Sequence, residues 1–500
     1  MYRNQYLVTN KTKLEFQGIR PYHFNDLDIY SHPSLNISSS KYLSTEIVLL
    51  GYIINPQKPS DSNNEIVHHL AVECTTQELL FKQIQLLSGR YLLIYKNGPS
   101  FIVVGDACSL RQIYYGFIND NIVLTSCPKM FLDYFNYDLQ ISSLKQEFIN
   151  TKQYKKNESA WYGDKCIDDR LRKLLPNHYL DINDKKVKRI PLYPIENLSS
   201  DCDVIDYASY ILRGTFASLV NRYSLIQPLT AGWDTRILLA ASRDVKDKIR
   251  FYVFSHSSAP NEPDIWVPKK LSEKLALRFQ VITQGQIEND FLIEYKKEHI
   301  LPRILPKTAD IQYHYYNNSG TNIINVNGNG GEIARCFYGY TSRTINPRIL
   351  LHFSNYPADN EFIKKELEHW YYDAYEYSRE VNIPLLDLFY WEQRMGNWGA
   401  LYPFEQDIAI EEISPFNNKS LLISLLSIHP KKRRSPHYHF FIKLILSLWP
   451  DVLAVPINPG QSTVNKIIKG RSMMRYYAMK LIQTARFLAA IKLRGFNKKG

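Results

Sequence analysis

The sequence predicts a two-domain protein of mixed class. A β-rich first part (residues 1–195) precedes a parallel-sheet α/β part with a helical extension (196–460), and a basic tail (461–500) closes the chain. Three observations carry this. Strand-type runs crowd the first third; strands and helices alternate from about residue 203; residues 461–500 hold ten Lys or Arg and no Asp or Glu.

In the first part, YLSTEIVLLGYII (42–54), GRYLLIY (89–95), SFIVVG (100–105) and NIVLTS (121–126) are rich in β-branched and aromatic residues and bounded by Gly, Pro, Asn or Ser. The stretch from PSFIVVGD to IYYGFINDNIVLTS reads as an antiparallel meander, with turns near Asn97-Gly98 and Asn119-Asp120. IENLSSD serves as the connector. Beyond it, IDYASYILRGTFASLVNRY is an amphipathic helix, SLIQPLT a short buried strand and ILLAASRD helical. IRFYVFS, RFQVIT and TNIINVN are strands, and PDIWVPKKLSEKLAL is a helix. Such alternation implies a parallel sheet with helices on its faces. Residues 360–450 read as mainly helical.

A hydrophobic content of 45% is that of an ordinary globular protein. There is no uninterrupted apolar run of membrane-spanning length, and MYRNQYLVTNKTKLEF lacks the apolar centre of a secretory signal. A cytoplasmic location is expected. None of Cys74, Cys108, Cys127, Cys166, Cys202 and Cys336 lies within three residues of another, which excludes zinc-ribbon and thioredoxin-type spacings. The net charge of +12 resides almost wholly in the tail. That tail reads first as a terminal helix packing on the body. Contact with an anionic membrane surface, at the inner face of the membrane, is the next reading, since clustered cations are attracted there. Nucleic acid is disfavoured, because no RNA-binding signature accompanies the charges.

Two stretches carry chemistry. SLIQPLTAGWDTRILLAAS (224–242) passes from strand to helix through Thr230-Ala231-Gly232. In an open parallel sheet, ligands bind beyond the carboxyl ends of the strands. Small side chains there let backbone N–H groups reach an anion, and the helix N-terminus adds about half a positive charge. A phosphate suits that place. Asp234 would repel it unless a divalent cation lay between them. INVNGNGGEIARCFYGY (324–340) repeats the pattern, with Gly328, Gly330 and Gly331 ahead of Glu332. Singly, the first is also readable as an ordinary strand-to-helix turn and the second as a surface loop. Together they suggest a polyphosphate–metal site whose cation Asp234 and Glu332 share.

These residues resemble a known family. Thr230-Ala231-Gly232-Trp233-Asp234-Thr235 is similar to the Ser-Gly-Gly-x-Asp-Ser pyrophosphatase loop of the asparagine synthetase family, and Asn327 to Glu332 to its later Ser-Gly-x-Gly-x-Asp segment. Asp264-Ile265-Trp266 through Ala276 matches the helix after the adenine-side strand, and Glu411 to Asn417 resembles the Glu-x-Arg-x-Pro-Phe-x-Asp stretch. Gly89 to Phe135 and LRKLLPNHYLDI (171–182) are similar to the family's glutaminase domain. The likeness spans roughly residues 80–455, with the motifs in the family's order.

The resemblance implies an N-terminal, Ntn-type, class II amidotransferase-like β-sandwich and a C-terminal domain of the adenine nucleotide α-hydrolase type. It implies ATP on Leu229, Thr230, Ala231, Gly232, Asp234, Thr235, Arg236, Phe254, Gly328, Gly330 and Gly331, and Mg²⁺ on Asp234 and Glu332. Arg236 reads equally as reaching a phosphate or as capping a surface. Tyr338 falls where the family's catalytic tyrosine stands and would work with Glu411. Glu411 also reads as an exposed pair with Glu412. The family's lysine has no direct counterpart: SPHYHFFIKLILSLWP offers His439 at the nearest register and Lys443 one turn on, the latter also readable as a solvated helix lysine.

The family's glutaminase uses an N-terminal cysteine, whose thiolate attacks the amide. Here Tyr2 follows Met1, no cysteine precedes Cys74, and Ser88 replaces the family's Asp, so loss of glutamine hydrolysis is expected. The implied activity is an ATP-dependent carbon–nitrogen ligase forming AMP and pyrophosphate. Its partners would be a small carboxylate (a uronic acid, sugar acid or amino acid) and an amine or ammonia, with surface polysaccharide assembly as the setting. A silent nucleotide- or partner-binding relative is the alternative. An RNA-modifying adenylating enzyme is a third reading, against which the amidotransferase-like half argues.

Overall fold

The computed structural model describes residues 2–10, 21–255, 262–339, 345–354, 356–357, 359–436 and 438–459. The basic tail lies outside the described residues. Among those described, no helix is long and apolar enough to cross a membrane.

The first part is two six-stranded antiparallel sheets. One runs in the order 172–173, 114–118, 121–125, 6–9, 27–31, 22–24; the other in the order 186–189, 178–181, 100–105, 88–97, 45–54, 37–42. Their inner faces meet through Tyr6, Val8, Val48, Leu50, Leu92, Ile94, Val103, Leu124 and Leu180. The outer face of the second sheet, with Ile47, Leu49, Leu93, Tyr95 and Val104, lies under helices Asn63–Glu73 and Gln77–Gln85. Both faces of Thr45–Ile54 are therefore covered, which is why IVLLGYII (47–54) carries no alternation of apolar and charged residues. Asn119 and Asp120 both take positive φ in the tight turn between strands 114–118 and 121–125.

The connector ends at Ser200, which caps helix α1 (Asp201–Arg222). Ser200 Oγ accepts from the Asp203 N–H, and the Asp203 carboxylate accepts from the Ser200 N–H, a reciprocal capping box. A five-stranded, wholly parallel sheet follows: β1 (Ser224–Pro228), β2 (Ile249–Ser255), β3 (Phe279–Thr283), β4 (Ile323–Val326) and β5 (Glu411–Ile413). Its order is β3-β2-β1-β4-β5. The winding reverses between β1 and β4, and such a switch point opens a crevice beyond the strand ends. Residues 360–450 are mainly helical, as their sequence predicts, with β5 the three-residue exception among those described.

On one face, Leu225, Phe251, Ile324, Val326 and Ile413 pack against α1, α2 (Trp233–Ala241), α3 (Pro263–Leu275) and a late helix, His439–Leu448. On the other, Ile226, Tyr252 and Ile282 meet Tyr313 of α4 (Thr308–Asn318). The helical extension begins with α5 (Glu361–Glu380) and a π-helical stretch, Tyr390–Gly399. It buries Leu367, Trp370, Phe389 and Trp391 together with Ala107, Cys108 and Leu110 of the first part.

The seam between the parts is polar and buried. Arg90, 1% exposed, binds Asp407 through two nitrogens at 2.6 and 2.7 Å and Glu411 at 2.8 Å. Asn417 Nδ2 donates to the Gly89 carbonyl (2.6 Å) and to Asp106 (2.9 Å), while its Oδ1 accepts from the Cys108 N–H (2.8 Å). Asn418 donates to Ser88 Oγ at 3.1 Å, so Ser88 is a seam residue.

Candidate functional site

The two glycine-bearing turns leave β1 and β4, the neighbouring strands at the switch point, and meet. A Cβ added at Gly328 would lie 2.6 Å from Asp234 Cβ, so only glycine permits that approach. Gly330 takes φ +94°, a left-handed conformation that strains other residues, and backs onto Cys108 Sγ and Phe416. The Gly331 N–H closes the turn onto the Gly328 carbonyl at 3.1 Å.

In the first turn every amide points at an oxygen. The Thr230 N–H donates to Thr235 Oγ1 (3.3 Å), the Ala231 N–H to Asp264 Oδ1 (2.9 Å) and the Gly232 N–H to Thr230 Oγ1 (3.2 Å). Asp264, in the first turn of α3, shows that the Ala231 N–H donates to an anionic oxygen. Gly232 caps α2 without a side-chain hydrogen bond, so the first helical amides retain their donor capacity. The Leu229 N–H is spent on the Tyr252 carbonyl at 2.8 Å. Phe254, near the end of β2, packs edge-on against Tyr252, Tyr313 and His314.

Asp234 and Glu332 come together around Arg335, whose Nη2 stands 2.7 Å from Asp234 Oδ2 and 3.5 Å from Glu332 Oε1. Asp234 Oδ1 and Glu332 Oε2 are enclosed and have no hydrogen-bond partner among the described residues. Burial, then the neighbouring Glu332 charge, push the Asp234 carboxyl well above its usual range, with Arg335 opposing. Two unsatisfied carboxylate oxygens on facing turns fit a hard divalent cation, which takes oxygen ligands.

The second turn has its own support, unforeseen in the sequence. Glu412, on β5, accepts from Asn325 Nδ2 and Asn327 Nδ2, both at 2.7 Å, and Asn327 Oδ1 accepts from the Asn329 N–H at 3.0 Å. Burial pushes the Glu412 carboxyl up to about 7. On α4, Asp310 is pushed up to about 8 by burial, with Glu412 adding and Lys307 opposing. The native state therefore holds the Asp310 proton more tightly than the unfolded chain, whose aspartates titrate near about 3.9. Stability is full below that value and declines as pH rises toward about 8. Asp310→Asn is expected to lose less thermal stability than the wild type between pH 5 and pH 8.5, read by thermal melts at both.

The structure gives the surroundings of four more of the expected residues. Arg236 is fully buried and donates to the carbonyls of Val452 (2.9 Å), Val455 (2.7 Å) and Pro456 (3.3 Å), so it ties α2 to the segment after the last helix. Glu411 pairs with Arg90 and Arg111 (2.6 Å) and borders a cavity of about 630 Å³ between the two parts. No hydrogen bond joins it to Tyr338 among the described residues. Tyr338 lies among the rings of Phe353, Phe389 and Tyr390, and burial pushes its phenol up to about 12, so it keeps its proton near neutral pH. Lys443 faces solvent, because the buried face of its helix is Phe440, Phe441, Leu444, Ile445 and Leu448. Lys443→Ala is expected to change stability by less than about 0.5 kcal/mol in urea titrations and to leave nucleotide binding unchanged.

No protein-family model and no curated protein matches the chain. Solved structures overlay weakly. Glutamine phosphoribosylpyrophosphate amidotransferase from B. subtilis, complexed with ADP and GMP, is 10% identical over 67% of this chain and 71% of that one, with a TM-score of 0.22. The allosteric regulatory enzyme of purine biosynthesis is 12% identical over 62% and 59%, at 0.22. Glutamine-dependent NAD+ synthetase from Acinetobacter baumannii, in complex with ADP, is 12% identical over 52% and 58%, at 0.21. At such scores the overlays carry no argument about activity.

Proposed function

We propose that the protein is an ATP-dependent carbon–nitrogen ligase of the asparagine synthetase type, with its nucleotide at the switch point. The observation that carries this reading is the meeting of the two turns: the α2 N-terminus, without a side-chain cap, and the unsatisfied oxygens of Asp234 and Glu332 opposite. Backbone N–H groups and the α2 N-terminus would hold the phosphates. Mg²⁺, when bound by Asp234 and Glu332, would offset charge on the departing pyrophosphate. Arg335 would hold the two carboxylates together and neutralise one of their charges.

In the first step a substrate carboxylate oxygen attacks the α-phosphorus of ATP, and the bond to the β-phosphate's bridging oxygen breaks, releasing pyrophosphate. In the second an amine nitrogen attacks the acyl carbon, the acyl–oxygen bond to AMP breaks, and the nitrogen sheds a proton. Glutamine hydrolysis plays no part in this reading. Uronic or amino acids as substrates, and polysaccharide assembly as the setting, go with the resemblance alone. A cytoplasmic location, with the tail touching the inner face of the membrane, belongs to the proposal, and the ten basic residues of 461–500 support that contact.

Carboxylate-dependent pyrophosphate–ATP exchange tests the reading. A pool of uronic and amino acids is expected to stimulate exchange. Nucleotide binding without exchange under any acid would favour the alternative, a relative that keeps the fold to bind nucleotide or a partner.

A further inference from the structure

Five arginines have a buried Nε without a hydrogen-bond partner among the described residues: Arg111, Arg213, Arg236, Arg335 and Arg394. Four of them spend their terminal nitrogens elsewhere. Arg111 binds the Asn4 carbonyl and Glu411, Arg213 the Ser447 and Leu448 carbonyls, Arg236 the carbonyls after the last helix, and Arg335 Asp234 and Glu332. Arg394 has neither a hydrogen bond nor an ion pair among the described residues. Its guanidinium is held by ring faces, 4.3 Å from the centroid of Trp398 and 5.3 Å from that of Phe337.

Arg394 is partly buried and its Nε is the enclosed atom; an orphaned buried donor calls for a partner. Stacking fixes the plane of the fork while leaving its Nε–Nη edge unspent, the geometry that receives a carboxylate through two parallel hydrogen bonds. The position is apt. Phe337 and Tyr338 follow the glycine-rich turn directly, and the Arg394 charge acts on both Tyr338 and Tyr390. Tyr390 in turn feels Glu332 and Arg335. Tyr390, Arg394 and Trp398 recur at intervals of four along the π-helical stretch, a distortion frequent at functional sites.

We propose that Arg394 is the residue that receives the carboxylate of the acid substrate, gripping it side-on between Trp398 and Phe337 at the wall of the switch-point crevice. The proposal rests on the ligase reading. It supplies from the extension the cation that Lys443, facing solvent, does not.

The test uses the full chain saturated with α,β-methylene-ATP and Mg²⁺, titrated calorimetrically with D-glucuronate and with L-aspartate as probes. At least one acid is expected to bind the wild type. Arg394→Gln should weaken that binding at least 30-fold while its affinity for the nucleotide stays unchanged, which also shows the variant is folded. Arg394→Lys should recover only part of the loss, since a point charge lacks the fork. Acid binding that survives Arg394→Gln, or binding of neither acid to the nucleotide-loaded wild type, overturns the proposal. Failure of the wild type to bind the nucleotide overturns the ligase reading beneath it.

Discussion

Asp234→Ala is expected to weaken binding of magnesium α,β-methylene-ATP by more than about 100-fold, roughly 2.7 kcal/mol, and to abolish acid-stimulated exchange. The reason is local. Asp234 supplies one of the two enclosed carboxylate oxygens without a partner among the described residues, and its loss halves the carboxylate ligands available to a hard cation. Thermal stability should hold in the same variant. The carboxyl removed is one whose ionisation burial and Glu332 already oppose, and Arg335 keeps Glu332 as its partner. Loss of binding with an unchanged melting midpoint separates a ligand role from a structural one; isothermal calorimetry and a thermal melt read the two.

The largest stability effect is expected at the seam. Arg90→Met removes the guanidinium that binds Asp407 through two nitrogens and touches Glu411. Asp407, its side chain 2% exposed, would then keep only the Gln5 amide at 3.0 Å and the Arg111 guanidinium at 3.6 Å. Leaving a buried charge without its partner costs about 3–5 kcal/mol. Urea unfolding should show that loss as a lower midpoint. A change below about 1 kcal/mol would place the pair among weak surface bridges instead.

The two turns were legible because their signal is short-range: small residues between a buried strand and a helix, followed by a carboxylate. Alternating strands and helices likewise foretold the parallel sheet. What the sequence hid depends on which way a side chain faces. Glu411 and Glu412 are adjacent, but on a strand neighbours point to opposite faces. One pairs with Arg90 across the seam and the other steadies Asn327. A strand of three residues within a helical stretch carries no period to tell them apart. Arg236 and Lys443 each kept two readings open for the same reason. Both sit on helices near the expected site, one turned into carbonyls and the other toward water. Arg394 gave no signal, since its meaning is the absence of a partner, which only three dimensions reveal.

Amide hydrogen exchange with and without magnesium α,β-methylene-ATP tests most directly whether one nucleotide bridges two distant turns. Residues 229–235 and 327–335 are predicted to gain protection together, at one nucleotide per chain, with neither gaining it in Asp234→Ala. Protection of one stretch without the other, or a bound nucleotide that slows exchange in neither, would contradict the account.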